Sequence, residues 1–350
     1  MKIYFYSHHV YQLDHVFQIY KKTGGTFIVK RINRFFRSKI YLRNGNVDPT
    51  FYNFLNAPKF IVKDIAKPIG LSGVLISGTN TYINHDPQKC IKIFMGHGTG
   101  DKKYGGIIEN LKSFDYHFIS GPKHIHKLKD IGLNIPEERL IKIGYTKFDD
   151  YLNNKIDKEK YLKYLGVKDT SRKNILYAPT WKWGDGTLHR YGKRFCRELD
   201  RDFNLIIRPH FFDRKHIIRL KLWAKYNGFN NVYFSNPGKI LKNDTMNDFA
   251  ISDLMISDTS SIIYEYLVTQ KPIIIADNNY QKLHNMPADL SILDVAKTYE
   301  GDSHSGICQM VNNELDNTNS KAIYNALLNN CFYFNDGKSV NRAVDFIQSL

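Results

Sequence analysis

Residues 251–276, ISDLMISDTSSIIYEYLVTQKPIIIA, constrain this chain more than any other stretch. Leu254, Met255 and Ile256 form a short uninterrupted apolar run, and a second run, 273–275, follows Pro272. Both are strand-length and lack polar alternation, so both read as buried strands of an open α/β sheet, with a helix between them. Ser257, Asp258, Thr259, Ser260 and Ser261 lie where the first strand passes into that helix. Small hydroxyl residues there set hydroxyls and backbone N–H groups at a helix N-terminus, beyond a strand's carboxyl end, where such sheets bind anions. Asp258 is equally a good N-cap residue, so a purely structural reading stands beside the functional one.

The same punctuation recurs along the chain. Short β-branched or aromatic runs at 3–6, 26–29, 60–62, 73–76, 91–95, 116–119 and 141–143 are bounded by Gly, Pro, Asn or Asp. A charged helical stretch, 150–165, ends at Gly166. Strand runs resume at 174–177, 205–207, 232–234, 254–256 and 273–275. Strand–helix alternation in both halves predicts an α/β fold of two doubly wound, Rossmann-like domains, divided as 1–160 and 161–335. Residues 336–350 read as an amphipathic helix packing back on the first domain, with Val340, Ala343, Val344, Ile347 and Leu350 on its apolar side.

Lysine and arginine exceed aspartate and glutamate by 50 to 34, so the charge of +16 favours a polyanionic partner without choosing among nucleic acid, lipid and phosphate-rich substrates. No RNP, zinc-finger or helix-turn-helix signature supports nucleic acid. Cys90, Cys196, Cys308 and Cys331 are widely spaced and form no Cys-x-x-Cys pair, which fits a reducing, cytoplasmic setting without a disulfide framework. Neither a secretory leader nor an apolar run of membrane-spanning length is legible. Any membrane contact is expected to be peripheral, at the inner face of the cell membrane.

Four constellations have the residue types for chemistry. Gly96, His97, Gly98, Thr99 and Gly100 follow the 91–95 strand, and the glycines leave the imidazole uncovered for acid–base work. Arg208, Pro209 and His210 follow the 205–207 strand, offering a guanidinium for phosphate and a second imidazole. Thr180, Trp181 and Lys182 follow Pro179 in a loop of phosphate-contacting type, and the Gly/Trp-rich stretch beyond reads as a lid or acceptor loop. Gly144 and Asp149 flank a turn placed to orient an inter-domain cleft. Each also has a plain reading as a polar turn after a strand. The segment from Lys30 to Arg43 gathers Ile32, Phe35, Phe36 and Ile40 on one helical face and Lys30, Arg31, Arg34 and Arg37 on the other, the pattern of an interfacial helix on anionic lipid or of an ordinary solvated face. His8, His9, His124, His126, His216 and His284 form no ligand-like set, and no metal is expected.

In order, HGT, SGP, IGYTKFDD, ILYAPTWK, LIIRPH and ISDTSSIIYEYLVTQKPIII resemble the CDP-glycerol glycerophosphotransferase family, the teichoic-acid primases and polymerases. The likeness runs from about Ile91 to Tyr280. It implies a GT-B architecture, two Rossmann-like domains facing a cleft, with the donor nucleotide mainly on the second. It implies that His97 and His210 are the family's paired histidines and that Ser260 and Ser261 stand beside the donor phosphates. Thr180, Trp181 and Lys182 match the family's Pro-Thr-Trp-Arg loop. Thr259 stands where the family often has an aromatic residue, and Glu265 where it usually has Asp. The implied reaction moves a polyol phosphate from a CDP-activated donor, CDP-glycerol or a similar CDP-polyol, to a hydroxyl of a lipid-linked or polymeric saccharide, releasing CMP in cell-surface polymer synthesis, with no cofactor. A nucleotide-sugar glycosyltransferase or hydrolysing epimerase of the same fold, and a non-catalytic membrane- or polymer-binding protein, remain the alternatives.

Overall fold

The computed structural model describes residues 1–6, 12–29, 60–62, 70–104, 107–237, 244–278, 286–301 and 306–350. The segment from Lys30 to Arg43, and His8, His9 and His284, lie outside the described residues.

Among the described residues, thirteen strands form two wholly parallel sheets. The first holds β1 (Ile3–Tyr6), β2 (Thr26–Val29), β3 (Phe60–Val62), β4 (Gly73–Ser77), β5 (Cys90–Phe94), β6 (Tyr116–Ile119) and β7 (Leu140–Lys142), in the order β3-β2-β1-β4-β5-β6-β7. The second holds β8 (Asn174–Tyr177), β9 (Asn204–Ile207), β10 (Val232–Phe234), β11 (Leu254–Ser257), β12 (Ile273–Ala276) and β13 (Lys297–Tyr299), in the order β10-β9-β8-β11-β12-β13. Both are the doubly wound Rossmann order, which reverses between β1 and β4 and again between β8 and β11. Helices cover both faces, so β8, β9, β11 and β12 are buried at every position, the physical reason their sequences run apolar without alternation. Pro179 and Pro209 lack an N–H to continue a ladder and follow the ends of β8 and β9 closely.

Two local expectations need correction, and one strand has no counterpart among them. The stretch 150–165 is not one helix: Phe148–Leu152 ends near Asn153, and a new helix, Lys158–Leu165, starts where the Asp157 carboxylate accepts the Lys160 N–H at 2.9 Å. β13 is a three-residue edge strand of mixed polarity, too short and polar to stand out in the sequence. Gly144 and Asp149 do not border the inter-domain cleft; they hold the C-terminal helix.

That helix, Ser339–Ser349, begins after Lys338, which has no capping oxygen. Asp149 caps it from a distance, accepting the N–H groups of Ser339 (3.1 Å) and Val340 (2.8 Å). Gly144 takes φ +85°, and a Cβ there would lie 2.7 Å from Ser339 Oγ. Ala343 and Ile347 then complete the first sheet's core with Phe5, Val16, Ile19 and Phe118. Asp149→Ala is expected to destabilise the protein by about 1–2 kcal/mol. Hydrogen exchange checks the cause: amides of 339–349 should speed up before those of β8–β12.

No helix among the described residues is long and apolar enough to cross a membrane.

Candidate active site

The carboxyl ends of the two sheets face one cavity of about 380 Å³. Its first wall carries Asp14, His15, His97, Gly98, Gly100, Lys102, Lys127 and Lys147. Its second carries Thr180, Trp181, Arg208, His210, Thr259, Ser260, Ser261 and Glu265. The walls touch where the glycine loop meets the start of the short helix Ile262–Tyr266. A Cβ on Gly98 would lie 3.0 Å from Ser261 Oγ, and one on Gly100 only 2.9 Å from Ser261 Cα, so this crossing admits only glycine without a shift.

His97 is exposed to the cavity, and its Nδ1 lies 2.5 Å from the Gly78 carbonyl oxygen. A carbonyl only accepts, so Nδ1 carries the proton and, in the neutral ring, Nε2 carries the lone pair. His210 has the opposite arrangement. Its Nδ1 accepts the Phe212 N–H at 3.3 Å, so its neutral ring carries the proton on Nε2. Trp181 and Phe212 flank that imidazole, with ring centroids 6.2 and 5.3 Å away. The two walls therefore carry neutral imidazoles of opposite tautomer, His97 with its proton on Nδ1 and His210 with its proton on Nε2.

Beneath them lies a buried charge cluster that joins the halves. Lys147 Nζ lies 2.7 Å from Glu265 Oε2 and 3.0 Å from Asp14 Oδ2, and Tyr145 donates to Glu265 Oε1 at 2.8 Å. Burial opposes the Lys147 charge, but Asp14 and then Glu265 more than offset it and hold the ammonium above its ordinary pKa. Burial, then Lys147, hold His15 well below its usual value, so that ring stays neutral. Glu265 is thus an inter-domain anchor rather than an open ligand for a donor. Lys123 makes a second anchor, donating to Asp101 Oδ1 (2.7 Å) and to the Leu290 carbonyl (2.9 Å) across the face of Tyr264.

Other expected site residues sit differently from a simple ligand shell. Arg208 lines the cavity, but its Nη1 lies 2.6 Å from Asp248 Oδ2 and 3.0 Å from Ser235 Oγ, so the guanidinium is held in a buried ion pair. Asp258 is not the N-cap, a place taken by Ser261. It spans the switch point between β8 and β11, accepting the N–H groups of Thr180 (2.8 Å) and Thr187 (3.0 Å) and the Thr187 hydroxyl (3.0 Å). Burial raises that carboxyl to about 6, partly offset by those donors. Asp258 thereby shapes the Thr180 loop. Lys182 is exposed and outside the cavity lining, its N–H bonded to Asp213. Gly96 and Thr99 lie behind the loop; Thr99 borders a separate small cavity with Ser120 and His124.

Sequence patterning does not single out Asp14, His15, Lys102, Lys127 or Lys147, all of which line the cavity. Lys127 Nζ donates to the Gly100 carbonyl at 2.6 Å and lies 4.7 Å from the Tyr104 ring centroid, which fixes the glycine loop. Burial, then Lys123, bring this ammonium down to about 8. No local motif marks these side chains; only Lys147, inside IGYTKFDD, had a signal within reach.

The family model described as CDP-glycerol:poly(glycerophosphate) glycerophosphotransferase matches residues 88–349. The chain belongs to this family. Its relatives include the teichoic acid poly(glycerol phosphate) polymerase of Staphylococcus epidermidis, 25% identical over 195 residues, or 52% of this chain and 25% of the polymerase. The teichoic acid glycerol-phosphate primase of Bacillus subtilis is 24% identical over 284 residues, covering 75% of this chain and 68% of the primase. The chain thus spans about a quarter of the length of the first of these relatives. Among solved structures, a variant of the wall teichoic acid polymerase TagF has a TM-score of 0.70 at 17% identity, covering 99% of this chain and 88% of that one. The UDP-GlcNAc 2-epimerase of Neisseria meningitidis, bound to UDP-GlcNAc, has a TM-score of 0.60 at 13% identity over the whole of both chains. These likenesses establish a GT-B fold.

Proposed function

We propose that this glycerophosphotransferase-family chain moves glycerol phosphate from CDP-glycerol to an acceptor hydroxyl and releases CMP. The observation that carries the reading is the pair of opposed histidines across one cleft, with opposite nitrogens protonated. His97 Nε2 takes the acceptor's hydroxyl proton as that oxygen attacks the phosphorus bearing glycerol. A new P–O bond forms, the P–O bond to the bridging oxygen of CMP breaks, and the electron pair leaves with CMP. His210 Nε2–H donates to the departing phosphate, and the Ser260–Ser261 turn borders the same anion. Arg208, held by Asp248, contributes fixed positive charge rather than a free fork. Positioning and charge supply most of the acceleration in such phosphoryl transfer. Among the described residues Lys102, Lys103, Lys127, Lys147 and Arg208 line the cavity with Asp14 and Glu265. Lys147 is paired with both carboxylates, Arg208 with Asp248 and Lys103 with Asp130, so the positive charge that favours an anionic donor comes chiefly from Lys102 and Lys127.

A lipid-linked or polymeric saccharide is the acceptor that suits an open cleft, and the inner membrane face is where it would be met. Calorimetric titration with CDP, CDP-glycerol and UDP-GlcNAc tests the donor. Expected are binding of both cytidine ligands and CMP release from CDP-glycerol once acceptor is added. Preference for UDP-GlcNAc would overturn the reading in favour of a nucleotide-sugar enzyme.

A further inference from the structure

The helix Arg214–Tyr226, which follows the His210 segment, has two apolar faces. Leu220 and Ala224 are buried against the second sheet's core, with Ile217 and Trp223 packed beside them. On the outer side Ile218, Leu222 and Tyr226, spaced four apart and so aligned in one stripe, are 59%, 64% and 92% exposed. A solvated helix places polar residues there. Lys221 and Lys225 run along one flank of the stripe and Arg219 along the other, and among the described residues none of the three has an ion-pair partner. The helix RKHIIRLKLWAKY contains no acidic residue. Lys193 and Arg197 of the neighbouring helix Leu188–Leu199 add further cations, each 5.1 Å from the Trp223 ring centroid. An apolar ridge between cationic flanks is the layout of a helix lying in a lipid interface.

We propose that this helix is a docking surface for an anionic lipid bilayer. Ile218, Leu222 and Tyr226 enter the headgroup–acyl boundary, while Arg219, Lys221 and Lys225 reach up to lipid phosphates. A second copy of the chain fits poorly. A symmetric dimer sets the same patch against itself, facing these cations with cations and no carboxylate of the same helix between them. The helix starts close to the cleft, since Phe211, three residues before it, lines the cavity. Near that end the Lys182 N–H bonds Asp213 Oδ2 at 2.8 Å, and Trp183 and Phe212 are both exposed. Aromatic rings favour headgroup depth, so docking presents the cleft to the membrane surface. The benefit for a lipid-linked acceptor rests on the transferase reading; the docking itself does not.

Co-sedimentation of the full chain with vesicles of phosphatidylcholine alone, and of equal parts phosphatidylcholine and phosphatidylglycerol, tests this. Wild type should partition at least about tenfold more strongly onto the anionic vesicles, and lose that preference in high salt. Ile218→Ser with Leu222→Ser should weaken partitioning by about tenfold or more. Arg219→Gln, Lys221→Gln and Lys225→Gln together should weaken it by about a hundredfold, at about fivefold per charge. Thermal melting should stay near wild type in both variants, and CDP-glycerol affinity should be unchanged, which separates this proposal from the transferase reading. The proposal is overturned if wild type ignores lipid charge. It is overturned too if the Ser double variant partitions like wild type, or if that variant converts a wild-type dimer to a monomer.

Discussion

His97→Ala is expected to slow glycerol phosphate transfer by about 10²–10⁴-fold, the usual contribution of a positioned general base. CDP-glycerol binding should change little, because His97 sits on the wall opposite the serines and the Thr180 loop. The Gly78 carbonyl explains why this imidazole can act as a base. Its hydrogen bond fixes Nδ1 as a donor and leaves the lone pair of the neutral ring on Nε2, and the imidazole lines the cavity. Single-turnover CMP release with saturating donor checks the effect. A variant within threefold of wild type, by that assay, would remove His97 from the proton transfer. His210→Ala should behave differently. Its Nε2–H meets a phosphate leaving group, which is stable as an anion, so the loss is expected to be smaller and to appear partly in donor affinity.

Lys147→Met is expected to destabilise the protein by about 3–5 kcal/mol, the cost of leaving buried charge unpaired. Two carboxylates depend on this ammonium, Glu265 at 2.7 Å and Asp14 at 3.0 Å, and both are largely shielded from water. Urea denaturation followed by circular dichroism provides the measurement. Lys147→Met combined with Glu265→Gln should recover part of the loss, since one of the stranded charges is removed. If the single variant loses less than about 1 kcal/mol, the cluster is solvated in solution and does not anchor the halves. Because Lys147 follows β7 and Glu265 follows β11, the same variant should loosen the relation between the walls. Transfer should therefore fall in any surviving folded fraction.

Most of the strands were legible because their signal is local. The runs at β1, β2, β3, β6, β8 and β10 are short, β-branched or aromatic, and bounded by turn residues, and each forms a strand at the expected positions. β13 lacked that signal: Lys297, Thr298 and Tyr299 become a strand only because β12 offers an open edge. The break at Asn153 was hidden for a related reason. Phe148–Leu152 carries no breaker and Lys158–Leu165 is rich in helix-forming lysine, while at the break the Asn153 side-chain amide is held by the distant Gly337 carbonyl at 2.8 Å.

The residues of the site divide in the same way. The sequence alone marked the strand-end motifs: His97 between glycines, His210 after Pro209, and the Ser260–Ser261 turn after β11. These are legible because a parallel sheet exposes the carboxyl ends of its strands, and the residues just past each apolar run must lie there. Only the tertiary structure decided what each side chain faces. It committed Glu265 to Lys147, Arg208 to Asp248, Asp149 to the C-terminal helix and Asp258 to the Thr180 loop, pairings between residues 40 to 191 positions apart. A charged side chain carries no mark of its partner. Burial makes an unpaired charge costly, so each is settled by whichever opposite group the packing of the two sheets brings within reach.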